Sequence, residues 1–262
     1  MGQIIYQVDS FTNKPFAGNP AAVCILPEER NAQWMQDVAR EMNLSETAFL
    51  LKAHDGYNLR WFTPAAEVAL CGHATLASAH ILWETGQLKP GEQARFHTLS
   101  GVLTADQQGD WYEMDFPVKP GVSTEIPAGL SEALGVKATN VSRNQFDFLV
   151  EVASEAIVRE IQPDFTQLSK LPVRGVIVTS RAGSNDYDFV SRFFAPAVGV
   201  NEDPVTGSAH CFLSPYWSER LGRNELVGYQ ASARGGVVKV RLDRDRVHLG
   251  GQAVTVLRGE LL

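Results

Sequence analysis

A six-residue passage occurs twice in this chain, half a chain apart. Arg60–Ala65 reads Arg-Trp-Phe-Thr-Pro-Ala and Arg192–Ala197 reads Arg-Phe-Phe-Ala-Pro-Ala, an offset of 132 residues (192 − 60) in a chain of 262. Each copy is an apolar run typical of a strand that ends at a proline. Within about a dozen residues a glycine, Gly72 or Gly207, then opens a helix. This common context predicts that the chain folds as two similar halves.

Two similar halves would direct the N-termini of two helices, at Gly72 and Gly207, toward one cleft. A helix N-terminus presents unpaired backbone N–H groups and about half a positive charge, so it attracts anions. Two converging N-termini therefore predict a site for a small carboxylate-bearing molecule in the cleft between the halves.

Charge and cysteine usage exclude several classes of protein. The net charge of −7 gives no support for binding to nucleic acid or to a membrane surface. The chain begins without a basic segment, and no stretch reaches the roughly 18 apolar residues of a membrane helix, so we expect neither a signal peptide nor a membrane segment. Cys24, Cys71 and Cys211 are odd in number and unlike a zinc-binding pattern, which predicts free thiols, no metal site and a cytoplasmic protein.

Many strand-like runs and few helices predict an α+β fold. The two helices that follow the repeated passages are apolar nearly all round, so we expect a curved, mostly antiparallel sheet or barrel to enclose each of them. Prolines and a glycine break the pattern in Pro117–Ile126, and we place the boundary there, with one domain at 1–117 and the other at 118–262. Pro215 is expected to kink or end the second central helix.

Two carboxylates are candidates for acid/base chemistry. Glu46 lies at the mouth of an apolar strand, where the loss of solvation should raise its pKa toward the range that a general acid/base needs. From the residues alone, a glutamate that binds backbone N–H groups at a turn is the interpretation to prefer. Asp203 precedes the second central helix, where a helix cap or turn role is the alternative to catalysis.

His73 lies in the first turn of the first central helix. The positive end of a helix disfavours an imidazolium, so we expect a neutral ring that could donate or accept a proton. A purely structural histidine is the alternative at this position. His80 and His210 lie further along the two helices and are expected to be packing residues.

Several motifs together resemble the PhzF-like family of phenazine-biosynthesis isomerases and their relatives. The resemblance starts at 8–23 and 43–49, continues through 62–75 and 202–209, and covers the chain from end to end. It implies a two-domain fold like that of diaminopimelate epimerase, in agreement with the duplicated halves. It also implies a cofactor-independent isomerase in a biosynthetic process, and more often a homodimer than a monomer.

The resemblance also implies roles for individual residues. The glutamate of the Asn-Leu-Ser-Glu motif moves a proton between substrate carbons in that family, which gives this role to Glu46. The remaining catalytic positions of the family correspond to His73 and Asp203 in this chain. Its substrate-binding positions correspond to Gly72, Gly207 and Ser208. We therefore expect Glu46, His73, Asp203 and Ser208 to lie within one small-molecule length of each other.

The cysteines distinguish this chain from the racemases that share the fold. Those enzymes resemble one another in using two thiols, one just before each central helix. Cys71 occupies the first such position, whereas Thr206 occupies the second and Cys211 lies a turn later. Threonine is too weak an acid to replace a thiol, so a two-thiol racemase is not expected. The remaining alternatives are an epimerase or lyase acting next to a carboxylate, and a non-catalytic ligand-binding or protein-interaction module.

Overall fold

The computed structural model describes residues 2–262, which form two compact units. Unit 1 runs to Asp115 and also includes Gly250–Leu262, whereas unit 2 comprises Phe116–Leu249. Strand pairing is antiparallel in most pairs of both units, so the predicted α+β fold is confirmed. Among the described residues, no helix is long and apolar enough to cross a membrane.

Unit 1 is a mixed sheet with two helices. Its strands are β1 (Gln3–Ser10), β2 (Asn19–Leu26), β3 (Glu46–Ala53), β4 (Gly56–Phe62), β5 (Glu67–Val68), β6 (Ala94–Thr98), β7 (Gly101–Gln108), β8 (Trp111–Pro117) and β18 (Ala253–Leu261). Its helices are α1 (Ala32–Met42) and α2 (Gly72–Glu84). The side chain of Asn31 caps the N-terminus of α1, and Asn43 ends it in the left-handed conformation (φ 49°). This sharp end places the start of β3, and with it Glu46, directly after the helix.

Unit 2 has more and shorter helices. Its strands are β9 (Val122–Ser123), β10 (Asn140–Arg143), β11 (Asp147–Glu151), β12 (Gly175–Arg181), β13 (Phe189–Ala195), β14 (Val200–Asp203), β15 (Glu225–Gln230), β16 (Gly236–Asp243) and β17 (Arg246–Gly251). Its α-helices are α3 (Leu130–Leu134), α4 (Glu155–Glu160), α5 (Phe165–Leu168) and α6 (Gly207–Leu221), and a 3-10 turn covers Pro196–Val198.

The two units repeat one strand topology. In unit 1, β2 and β3 are parallel, β3 and β4 antiparallel, and β4 and β6 parallel. In unit 2 the same relations hold for β11 with β12, β12 with β13, and β13 with β15. Thr47 pairs with Phe62 in unit 1, and Val176 pairs with Phe194 in unit 2, so the registers also correspond. The duplication predicted from the repeated passage is confirmed.

The arginine that opens each repeated passage makes the same ion pair in both units. Arg60 binds Glu67 through two hydrogen bonds of 2.7 and 2.8 Å, and Arg192 binds Glu202 through two of 2.7 and 2.9 Å. Such two-point pairing of a guanidinium with a carboxylate fixes geometry as well as charge. Each pair joins a strand to the short strand that leads into the central helix.

The central helices are buried, as their all-round apolar pattern predicted. Every residue from His73 to Trp83 is buried in α2, which packs against β1, β2, β3 and β18. Helix α6 continues through Pro215 to Leu221, so an end at this proline is wrong. The carbonyl of Cys211, which loses its helical partner at Pro215, accepts a hydrogen bond of 3.0 Å from the Lys119 N–H. This substitute bond removes the cost of an unpaired carbonyl.

The predicted division at 1–117 and 118–262 needs correction. The chain crosses from unit 1 to unit 2 at Asp115, and residues from Gly250 onward belong to unit 1 again. The reason is that β18 pairs antiparallel along the whole of β1 and satisfies the backbone groups of that edge. In unit 2, β10 receives its equivalent partner from the shorter β9, which precedes it in the chain.

Candidate active site

Glu46 and His73 form a close pair in unit 1. Glu46 is the first residue of β3, and His73 is the second residue of α2. Glu46 Oε2 lies 3.1 Å from His73 Nε2, with 17% of the glutamate side chain and 7% of the histidine side chain exposed. The carboxylate and the ring are therefore largely shielded from water, although Glu46 remains accessible at one edge.

The two facing atoms have no good hydrogen-bond partner. Glu46 Oε2 and His73 Nε2 are both buried and make no hydrogen bond to the described residues, even though they are 3.1 Å apart. The contact is thus a close approach of the carboxylate and the ring without the alignment of a hydrogen bond. A buried polar atom without a partner is costly, so such a pair is typical of a functional site where a ligand supplies the missing contact.

Other contacts hold His73 in place. Its Nδ1 lies 3.2 Å from the amide nitrogen of Asn19 and 3.5 Å from the sulfur of Cys71. Its carbonyl accepts a hydrogen bond of 2.8 Å from the buried hydroxyl of Ser10. In the neutral ring, Nδ1 accepts from Asn19, which leaves the proton on Nε2, the atom that faces Glu46.

The pKa of His73 disagrees with the expectation of a neutral ring. Burial alone would lower the pKa, but the neighbouring Cys71 sulfur and Glu46 carboxylate raise it well above its usual value of 6.5. Burial and Glu46 raise the pKa of the Cys71 thiol to about 11, so the thiol stays protonated at neutral pH. The expectation of a neutral His73 rests on the helix dipole, and the raised pKa of this histidine speaks against it.

The thiols are poorly suited to catalysis. Burial raises the pKa of Cys211 to about 12, and it is also the main cause of the raised pKa of Cys71. All of the cysteines are free and buried, as expected. A neutral thiol is a weak base and a weak nucleophile, so this chemistry speaks against a two-thiol mechanism.

Glu46, Cys71 and His73 are also the residues that could hold a metal ion, since their ligand atoms lie within 4.8 Å of one another. Cys71 lies against Nδ1 of the ring, whereas Glu46 lies against Nε2. A metal ion bound to Nδ1 would therefore lie beside Cys71 but away from Glu46, and an ion bound to Nε2 would lie beside Glu46 but away from Cys71. The arrangement suits proton transfer better than tetrahedral coordination.

Asp203 and Thr206 form a compact network in unit 2. The carboxylate Oδ2 of Asp203 accepts a hydrogen bond of 2.5 Å from the Thr206 hydroxyl. The buried Gln230 donates to the Asp203 carbonyl (2.7 Å) and accepts from the Thr206 N–H (2.9 Å). These bonds fix the segment that leads into α6 and hold the Asp203 carboxylate beside it.

Ser208 belongs to a second polar group in unit 2. Its hydroxyl oxygen accepts a hydrogen bond of 3.0 Å from Arg174 Nη2. Arg174 in turn binds Asp147 through two bonds of 3.0 and 2.5 Å. Burial, opposed by Arg174, raises the pKa of Asp147 above its usual value.

Both central helices begin without a side-chain cap. The residues before Gly72 and Gly207 are Cys71 and Thr206, and neither side chain binds a first-turn N–H group. The first N–H groups of a helix have no partner within it, so these two turns keep their capacity for an anion.

The structure thus brings together Glu46 and His73 in one unit, and places Asp203 and Ser208 in two neighbouring networks of the other. That all four meet around one ligand stays a prediction. Sequence reasoning missed four residues that shape these sites: Asn19, Asp147, Arg174 and Gln230. Only Asn19 carried a signal, because it lies in a turn-rich segment that opens the family-like motifs.

Comparison with known proteins gives a consistent result. The sequence model of the PhzC-PhzF family, described as phenazine biosynthesis-like protein, matches residues 8–259. An uncharacterized isomerase of Halalkalibacterium halodurans is 58% identical over 259 residues, which cover 98% of each chain. The crystal structure of a PhzF-family protein of Enterococcus faecalis is 41% identical, covers 100% of both chains and superposes with a TM-score of 0.96. A probable proline racemase of Agrobacterium radiobacter, with 12% identity and a TM-score of 0.65 over 99% of this chain and 93% of its own, is similar in fold alone.

Proposed function

The chain belongs to the phenazine biosynthesis-like family, and we propose that it is a cofactor-independent isomerase with Glu46 as its acid/base. In this proposal the enzyme moves a proton within a small carboxylate-bearing substrate. The observation that carries the proposal is the 3.1 Å contact between Glu46 Oε2 and His73 Nε2, two buried atoms without a hydrogen-bond partner among the described residues.

The first step is removal of a proton from a substrate carbon. The Glu46 carboxylate takes the proton and becomes neutral, while the electron pair of the broken C–H bond is delocalised into the unsaturated, carboxylate-bearing substrate. The positive charge favoured on His73 stabilises the negative charge that develops nearby. Ligand binding expels water from the site, and the lower dielectric constant strengthens this interaction.

The second step returns the proton to a different carbon. The protonated Glu46 can deliver it directly, or His73 together with Asp203 can protonate that carbon while the proton on Glu46 passes to His73. The net reaction gains and loses no electrons, and one C–H bond forms for each one broken. Such a reaction needs no redox group, which is why we propose cofactor independence.

The substrate anion is proposed to bind at uncapped first turns, at Gly72 and at Gly207 with Ser208. Backbone N–H groups at a helix N-terminus provide both hydrogen bonds and a favourable dipole. Fixing the anion positions the reacting carbon relative to a general base, which contributes to the rate through orientation.

Deuterium wash-in tests the proposed function. The protein is incubated in deuterated water with a panel of small unsaturated carboxylates, and incorporation is followed by NMR and mass spectrometry. An isomerase yields a shifted double bond, with deuterium at the newly protonated carbon when the abstracted proton exchanges with the solvent before it is returned. An epimerase yields deuterium at the original carbon with inverted configuration, and a lyase yields a fragment. Binding with neither a shifted double bond nor exchange of any carbon-bound proton would contradict the proposal and favour a non-catalytic module.

A further inference from the structure

The guanidinium of Arg174 and the hydroxyl of Ser208 lie together at the first turn of α6. We propose that these two side chains form a carboxylate-recognition site in unit 2. The identification of that carboxylate with the substrate rests on the proposed function, whereas the anion site itself does not.

Arg174 is held rigidly by a buried acid. Asp147 is 1% exposed and binds both Nε and Nη2 of Arg174, while 35% of the arginine side chain remains exposed. An arginine anchored in this way loses little further freedom when it binds a ligand. The buried carboxylate thus acts as a support that aims the guanidinium rather than as a ligand group.

Hydrogen-bond donors remain available on both side chains. Arg174 uses Nε and Nη2 within the protein, and its Nη1 makes no hydrogen bond to any residue from 2 to 262. Arginine cannot accept, so Ser208 must accept from Arg174, which leaves the serine proton for another acceptor.

Two serines of the central helices place their protons differently from Ser208. Ser78 and Ser214 each donate to the carbonyl four residues earlier, at 2.7 and 2.6 Å. For Ser208 that carbonyl belongs to Pro204, which already accepts from the Ser232 hydroxyl at 2.8 Å. The donors of Arg174 and Ser208 therefore suit a group that only accepts hydrogen bonds, such as a carboxylate.

Aromatic rings flank the guanidinium. The Arg174 Cζ lies 5.3 Å from the ring centre of Phe193 and 5.8 Å from that of Phe146, which is 40% exposed. The exposed Phe146 offers an apolar surface next to the donors. This combination fits a carboxylate carried by a planar, apolar body.

The duplicated topology explains why unit 2 lacks a counterpart of Glu46. The strand registers make Gly175 equivalent to Glu46, and Ser208 equivalent to His73. A Cβ on Gly175 would approach Cζ of Phe193 to 2.5 Å, so no side chain fits there. The equivalent positions have diverged, one toward proton transfer and the other toward anion recognition.

Binding of benzoate, compared with its neutral analogue benzamide, tests this site without a need for turnover. Isothermal titration calorimetry on the full chain should show that the wild type prefers benzoate. The double variant Arg174→Gln/Asp147→Asn removes both charges and so leaves no unpaired buried carboxylate. We expect it to bind benzoate at least about tenfold more weakly with unchanged benzamide binding, and Ser208→Ala to lose about severalfold.

Arg143→Gln is the matched control. Arg143 also lies over a phenylalanine ring, that of Phe148, but within residues 2–262 its side chain donates a hydrogen bond only to the carbonyl of Pro172. It should retain the benzoate preference. Circular dichroism checks that each variant is folded. No preference for benzoate in the wild type, or an undiminished preference in the double variant, would overturn the proposal. If Glu46→Gln still prefers benzoate and the wild type shows no proton exchange, the isomerase function is refuted but the anion site is retained.

Discussion

At the residue scale, the Glu46–His73 pair shows how two residues far apart in the chain acquire complementary charge. Each is brought to the site by the start of a regular element, β3 for Glu46 and α2 for His73. Burial disfavours both charges, but their proximity compensates, and the pKa of His73 rises as a result. Asn19 and Ser10 then hold the histidine from the opposite side.

Replacement of either thiol near the central helices should leave the chemistry intact. We expect Cys71→Ala and Cys211→Ala each to retain most of the wild-type proton exchange, because burial keeps both thiols protonated, with pKa values of about 11 and about 12. The exchange rate of each variant checks this expectation. A loss of several orders of magnitude in either one would restore the thiol mechanism and argue against the carboxylate mechanism.

The raised pKa of His73 predicts a pH-dependent stability. The folded pKa lies above the unfolded value of 6.5, so the contribution is fully present below that pH and is lost as the pH rises through the folded pKa. Urea unfolding of the wild type and of His73→Gln should therefore show a difference that shrinks as the pH rises from about 6.5 through the folded pKa of His73. A difference that stays constant or grows over this interval would show that the pKa is not raised.

At the scale of elements, helix α6 illustrates how a buried polar group is tolerated for the sake of packing. His210 donates from Nδ1 to the Thr206 carbonyl at 2.8 Å, while its Nε2 is buried without a hydrogen-bond partner among the described residues. Its ring packs near Phe189, in agreement with the expected packing role. His80 of α2 is likewise buried, but it binds the hydroxyls of Tyr112 and Thr255.

The buried His210 predicts acid sensitivity. Burial lowers its pKa to about 4, so between pH 6.5 and pH 4 the unfolded chain takes up a proton that the folded chain does not. Stability is therefore present above pH 6.5 and falls below it, by about 3 kcal/mol over the whole interval. Urea unfolding of His210→Gln should show a smaller fall than the wild type, whereas the exposed control His54→Gln should behave like the wild type. Equal pH dependence in the wild type and His210→Gln would contradict this account.

At the scale of the whole molecule, the sequence predicted the features that repeat or that depend on local pattern. The strands that carry Arg60 and Arg192, and the helix starts at Gly72 and Gly207, follow from local apolar runs and glycines. The return of β18 to β1 was missed because pairing between the two ends of a chain leaves no local signal. Arg174 was missed for the same reason, since its role depends on Asp147, which is distant in sequence.

Duplication followed by divergence gives a physical account of the two units. Both retain the buried central helix and the ion pair that leads into it, which are requirements of the fold. The residues at the helix starts differ, with Cys71 and His73 in unit 1 and Thr206 and Ser208 in unit 2. The two units therefore share the features of the fold and differ in the residues at the helix starts.

Proton exchange by Glu46→Gln tests the central claim most directly. Glutamine keeps the shape of glutamate but cannot take up a proton, so exchange into a substrate found in the carboxylate panel should fall by at least about a hundredfold, with fold and ligand affinity nearly unchanged. Glu84→Gln is the matched control, because Glu84 Oε1 also lies near a histidine of α2, at 3.7 Å from His80 Nε2. The Glu84→Gln variant should exchange protons at the wild-type rate. Exchange by Glu46→Gln at a rate near that of the wild type would show that Glu46 is not the base.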